Sequence, residues 1–265
     1  MCQRFKIALV VVLSVLLAAC AGKWEKEGDY YTFNLQRSNT APKEGVKVIE
    51  TIELEAGDIL FSSATSAQSI GIRLFNNAPI SHSFIYLGDG LIAEAVGSGV
   101  QIISLTEALE HANLVAVYRY PGLTSEDTAK MREFANSLDG SKYNFVGIAK
   151  QMPYSITRKA CELPVNPRFI RQACLNSMGY LFVSPLQSER YFCSQFVVEA
   201  FNVAGKPLTH KNPEWVSPSD ILHMREDDVP SIRSKVELAY VGHLACSVSI
   251  WNSSCSAQKP KDTIP

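Results

Sequence analysis

The sequence predicts an α+β domain in which an antiparallel sheet packs against helices, and three stretches carry that prediction. Ser81-His82-Ser83-Phe84-Ile85-Tyr86-Leu87 and Leu91-Ile92-Ala93-Glu94-Ala95-Val96 are β-rich runs on either side of Gly88-Asp89-Gly90, a strong hairpin signal. Thr124-x-x-Asp127 opens an amphipathic helix with Met131, Phe134, Ala135 and Leu138 on one face, ended by Gly140. After Cys193, Phe196, Val197, Ala200, Phe201 and Ala204 recur at helical spacing until Gly205 and Pro207 stop the run.

The remaining elements fall in order around these three. Ile49, Ile52 and Leu54 lead to the turn Glu55-Ala56-Gly57-Asp58, after which Ile59-Leu60-Phe61 reads as a short strand. Residues 66–76 read as a short helix. Val100 to Leu105 and Leu114 to Tyr120 are further strands, with a short helix between them from Thr106 to His111. A helix continues from Tyr143 to Met152. Residues 155–190, with Pro164, Pro167, Gly179 and Pro185, are the least periodic part and read as an insertion. Ser217 caps a helix with Pro218 at its first position, Asp220 closes the capping box, and Val236 to Leu244 reads as the last strand. The domain therefore spans 47–245, with a tail at 246–265 and a polar segment before residue 47 that reads as a tether.

Residues 1–19 combine Arg4 and Lys6 with an apolar run from Ile7 to Leu17, too short to span a bilayer. Small residues then precede Cys20, so that the segment resembles the lipobox of bacterial lipoproteins. That resemblance implies cleavage before Cys20 and a lipid anchor on its thiol. With Ala21 rather than aspartate next, it implies the periplasmic face of the outer membrane. Removing residues 1–19 leaves 23 Lys+Arg against 26 Asp+Glu, and nothing basic enough to favour nucleic acid.

Export also changes the reading of the seven cysteines. Without Cys2 and with Cys20 lipidated, Cys161, Cys174, Cys193, Cys246 and Cys255 face an oxidising compartment, and an odd thiol there is reactive or a liability. Cys161 with Cys174 and Cys246 with Cys255 is the simplest of the three pairings of the other four, and it leaves Cys193 free. No C-x-x-C or His-x-x-x-His spacing supports a zinc site, and no cofactor is expected.

Cys193 falls at the start of its helix, where unpaired amides and the positive end of the macrodipole favour a thiolate. A histidine can be placed beside an acid by hairpin register. If Gly88 to Gly90 form a three-residue loop with Gly90 left-handed, Leu87 faces Leu91 and Phe84 faces Glu94. His82 then lies diagonal to Glu94 on the same face, at roughly 7–8 Å, within side-chain reach. A two-residue loop would move the register by one and send Glu94 to the other face. A thiol hydrolase needs these parts: a cysteine nucleophile, an imidazole to take and return a proton, and an acid to orient the ring. His111, His210, His223 and His243 compete for the base role without an acid supplied by a hairpin.

The ordered blocks Gly57-Asp58-Ile59-Leu60-Phe61, Ser81-His82-Ser83-Phe84-Ile85-Tyr86-Leu87-Gly88, Ile92-Ala93-Glu94-Ala95, Tyr191-Phe192-Cys193-Ser194-Gln195-Phe196-Val197 and Trp215-Val216-Ser217-Pro218-Ser219-Asp220 resemble the circularly permuted NlpC/P60 branch of the papain-like superfamily, and within it the YaeF/YiiX-like bacterial lipoprotein hydrolases. The resemblance implies a permuted papain-like fold with Cys193 as nucleophile, His82 as general base and Glu94 as the third, polar position. It implies a peptide or isopeptide substrate. A lipid substrate, with acyl transfer through the same cysteine, and a non-enzymatic binding lipoprotein are the rival expectations.

Overall fold

The structure, a computed structural model, describes residues 22–27, 30–37, 39–42, 45–63, 80–96, 98–110, 112, 114–141, 192–244, 246–247 and 254–255. Cys20, Cys161, Cys174, His111, the helices expected at 66–76 and 143–152 and the 155–190 insertion lie outside the described residues.

The chain opens with strands β1 (Gly22–Glu27) and β2 (Tyr30–Leu35), which pair antiparallel. The stretch expected as a tether thus carries a hairpin, built where Tyr30, Tyr31, Thr32 and Phe33 give it β-forming residues. Beyond it, Gln36 and Arg37 are bonded to Val229 and Asp228, far along the chain. Gln36 Nε2 donates to the Val229 carbonyl at 2.8 Å and the Arg37 amide donates to Asp228 Oδ1 at 2.9 Å.

Among the described residues the main sheet has seven strands. They are β3 (Val48–Ile49), β4 (Ile59–Ser63), β5 (His82–Gly88), β6 (Leu91–Val96), β7 (Gly99–Ser104), β8 (Leu114–Arg119) and β9 (Ala239–Leu244), in the order β3-β9-β8-β4-β5-β6-β7. All neighbours are antiparallel except the two-residue β3, which joins β9 in parallel. The α-helices among the described residues are α1 (Leu105–Glu110), α2 (Ser125–Leu138), α3 (Cys193–Val203) and α4 (Pro218–Leu222). Thr124 and Asp127 form the expected capping box of α2, and Ser217 and Asp220 that of α4. Each such cap stabilises its helix by about 1 kcal/mol.

Alternation along the strands sorts the core into two layers. Ile85 and Leu87 of β5, Ala93 and Ala95 of β6 and Ala116 of β8 pack with Phe196, Val197, Ala200 and Phe201 of α3 and Met131 of α2. Their neighbours Phe84, Tyr86, Ile92, Val115 and Val117 belong to a second layer with Leu105 and Leu109 of α1. The α+β architecture follows: α2, α3 and the short α4 on one face of the sheet and α1 on the other.

The turn before β4 also has a physical reason. Gly57 takes φ +91°, and a Cβ there would lie 2.5 Å from Leu123 Cδ1, so both backbone and space require glycine. Buried Asp58 accepts from Arg119 Nε at 2.7 Å and Nη2 at 2.8 Å, tying the entry of β4 to the end of β8.

Candidate active site

The β5–β6 hairpin closes with two residues rather than three. Asp89 (φ 57°) and Gly90 (φ 72°) are both left-handed, as a two-residue turn with strand-like twist requires. On its own such a turn would move Glu94 to the wrong face. A register irregularity between Tyr86 and Gly88, a β-bulge, absorbs the extra residue, so Ile85 faces Ala93 and Tyr86 faces Ile92. One step further on, that register sets Phe84 opposite Glu94.

His82 and Glu94 therefore meet. His82 Nε2 lies 2.6 Å from Glu94 Oε2, with the imidazole 22% and the carboxylate 9% exposed. The His82 ring stacks on Phe84 at 5.5 Å between centroids and an interplanar angle of 30°. The aromatic face and the carboxylate fix the ring from two directions. With Nε2 committed to Glu94, Nδ1 is the ring nitrogen left for a second partner.

That partner comes from α3. Cys193 is its first residue, 7% exposed, and Phe192 before it is extended (φ −113°, ψ 161°) with no side-chain cap. The amides of a helix's first turn have no acceptor within the helix and leave positive potential there. The helix start is held on both sides of the sulfur: Phe192 is in the core, and Ser194 Oγ donates to the Val216 carbonyl at 2.5 Å. One turn on, Phe196 stacks on Phe134 of α2 at 5.8 Å.

Burial disfavours the charged form of His82, but hydrogen bonds and charge from Cys193 and Glu94 outweigh it and raise the imidazole to about 10. The ring thus sits between the Cys193 sulfur and the Glu94 carboxylate, both of which favour its protonated form. Among the described residues no cluster of three or more His, Cys, Asp or Glu side chains has metal-site geometry.

The rival histidines are placed elsewhere. His243 is buried, with Nε2 2.9 Å from Thr40 Oγ1 and Nδ1 2.5 Å from the Tyr240 hydroxyl. Burial, then the charge of Arg225, pushes it down to about 4, so it is neutral. His210 is exposed. His223 does have an acid that sequence reading overlooked: its Nδ1 lies 2.9 Å from Asp228 Oδ2, in a buried group with Arg225 Nε at 2.7 Å. Asp228 lies five positions on, within a turn rather than across a hairpin, and this trio joins the N-terminal segment through Arg37.

Sequence reading also missed Gln101. It lies directly opposite Glu94 in the β6–β7 register, and its Nε2 donates to Glu94 Oε1 at 2.9 Å. In the sequence, Gly97-Ser98-Gly99 is a turn signal between the two β-rich runs, and a register carried across it would place Gln101 near Glu94. Outside this site, the backbone of β10 (Cys246–Ser247) and β11 (Ser254–Cys255) sets Cys246 opposite Cys255.

A family model described as permuted papain-like amidase enzyme, YaeF/YiiX, C92 family, matches residues 53–156, a range that holds His82 and Glu94. A protein of Escherichia coli strain K12 described as probable lipoprotein peptidase YaeF is 37% identical over 229 residues, 85% of this chain and 84% of that protein. The crystal structure of metalloprotein yiiX from Escherichia coli O157:H7 superposes with a TM-score of 0.42 at 19% identity, covering 72% of this chain and 97% of that one. The 37% identity over most of both sequences, together with the matching family model, makes the chain a member of the permuted papain-like amidase family.

Proposed function

We propose that the protein is a lipid-anchored cysteine hydrolase that cleaves an amide bond, peptide or isopeptide, through an acyl-enzyme on Cys193. The observation that carries the reading is the relay from the thiol at the start of α3, through His82, to a carboxylate 2.6 Å from Nε2. Glu94 accepts Nε2–H, which leaves Nδ1 to take the thiol proton. The Cys193 sulfur attacks the substrate carbonyl carbon, and the oxygen gains negative charge near the helix N-terminus, where first-turn amides can donate to it. The carbon–nitrogen bond breaks as His82 returns the proton to the leaving amine. Water, deprotonated by His82, then attacks the thioester carbon, and the released thiolate recovers the proton.

Membership in an amidase family favours an amide over an ester, and the description of the Escherichia coli relative as a lipoprotein peptidase agrees with an anchor at Cys20. We place that anchor on the periplasmic face of the outer membrane, with cell-wall peptide as a candidate substrate. In that compartment the opposed Cys246 and Cys255 suit a cross-strand disulfide, and with Cys161 joined to Cys174 as well, Cys193 is left as the working thiol.

The test is intact-mass measurement of the full chain after brief incubation with muropeptides or with phospholipid vesicles, beside Cys193→Ala. The reading expects a peptidyl adduct on the native protein and none on the variant. A fatty-acyl adduct would replace it with lipid acyl transfer. Undiminished peptide hydrolysis by Cys193→Ala would remove Cys193 from the mechanism.

A further inference from the structure

Glu94 has two oxygens, and the structure gives each a different partner. Oε2 faces His82 Nε2 at 2.6 Å, while Oε1 accepts from Gln101 Nε2 at 2.9 Å. The Gln101 amide is itself oriented: Ser98 Oγ donates to its Oε1 at 3.3 Å, which turns the NH2 end towards Glu94. Glu94 and Gln101 are directly opposed on neighbouring strands, so the contact is a cross-strand pair rather than a chance meeting of long side chains. The torsion that turns a glutamate carboxylate is soft and roughly two-fold. A donor at Oε1, fixed to a neighbouring strand, adds to the contact at Oε2 and holds that torsion.

We propose that Gln101 is the positioning residue of this site: its amide N–H holds the Glu94 carboxylate with Oε2 on His82, and so fixes which imidazole nitrogen keeps its proton and which one meets the thiol. The inference rests on the reading of Cys193, His82 and Glu94 as the active centre. An amide nitrogen can only donate, so it meets Glu94 as an acceptor. Glu94 in turn keeps the proton on Nε2 and leaves Nδ1 to serve Cys193. The titratable groups of this relay among the described residues are His82 from β5, Glu94 from β6 and Cys193 from α3. Gln101 adds a donor to it without adding a charge.

Two substitutions separate positioning from support. Gln101→Leu removes the donor. Gln101→Glu keeps the shape and makes the donor depend on pH: a protonated carboxyl donates as the amide did, whereas an ionised one opposes Glu94 as a like charge. The readout needs no substrate. In the full-length protein the rate of iodoacetamide alkylation is followed on the Cys193 peptide by mass spectrometry across a range of pH, with thermal unfolding of each variant alongside. Gln101→Leu is expected to slow alkylation about tenfold and move the midpoint of the profile, as loss of one charge-assisted hydrogen bond would. The ratio of Gln101→Glu to the native protein is expected to approach one at the acid end and to fall as pH rises.

If both variants follow the native profile while His82→Ala is slowed, Gln101 does not position the site, though the cysteine–histidine reading stands. If both lose reactivity by one constant factor at every pH, in step with lowered thermal stability, its role is structural and the proposal fails. If His82→Ala also follows the native profile, the active-centre reading falls and this proposal falls with it.

Discussion

Glu94→Gln keeps the length of the side chain and removes its charge, so it tests how much of the state of His82 comes from the carboxylate 2.6 Å away. Two physical routes bracket the effect. A hydrogen bond to a charged partner contributes about 1.5–3 kcal/mol and one between neutral groups about 0.5–1.5 kcal/mol, a loss of about 1–1.5 kcal/mol, or close to one pKa unit. A unit charge about 4 Å from the ring at an effective dielectric constant of about 20 interacts at about 4 kcal/mol, near three units. The imidazole, held up to about 10 by Cys193 and Glu94 against burial, should therefore fall by about one to three units and still titrate above its ordinary range or within it. The lower bound, expressed where the imidazolium forms in the reaction, is about a tenfold loss in kcat. The assay is an NMR pH titration of the histidine ring signals in the full chain, with the His82 signal identified by its loss in His82→Gln. A His82 midpoint unmoved by more than about half a unit in folded Glu94→Gln would refute the electrostatic role given to Glu94.

The same imidazole makes stability depend on pH with a definite sign. A histidine raised to about 10 binds its proton more tightly when folded, so its contribution is fully present below the ordinary value near 6.5 and is lost as pH climbs through about 10. Urea unfolding should show the native protein losing stability relative to His82→Gln between about pH 7 and pH 10, and parallel curves would contradict it. Away from the site, Arg119→Leu strands the wholly buried Asp58 carboxylate, which Arg119 meets at 2.7 and 2.8 Å. Breaking a buried pair on one side costs about 3–5 kcal/mol; Arg119 is 26% exposed, so the lower end is expected, and a urea midpoint shift worth under about 1 kcal/mol would show that Asp58 finds other support.

What could be read from the sequence, and what could not, follows from how far apart the cooperating residues are. The capping boxes at Thr124 and Ser217 are written within four residues and appear as expected. The pairing of His82 with Glu94 spans twelve residues and one turn, and the face of Glu94 could be worked out because strand alternation allows two answers. Even so, the loop is one residue shorter than expected, and the bulge between Tyr86 and Gly88 restores the register that puts Glu94 on the face of His82. Gln101 needed a second register carried across β6 to β7, and His223 with Asp228 needed a turn whose geometry no periodicity announces. Asp58 read only as a turn residue because Arg119, its partner, is 61 positions away. The meeting of His82 with Cys193 lies beyond any local rule: it needs β5 inside the sheet, between β4 and β6, and α3 packed against the sheet. Resemblance supplied that contact in advance because a family's order of motifs encodes topology, which spacing within one chain does not. The register then supplies what resemblance leaves open, which oxygen of Glu94 meets which side chain: Oε2 lies on His82 Nε2, and Oε1 accepts from the Gln101 amide.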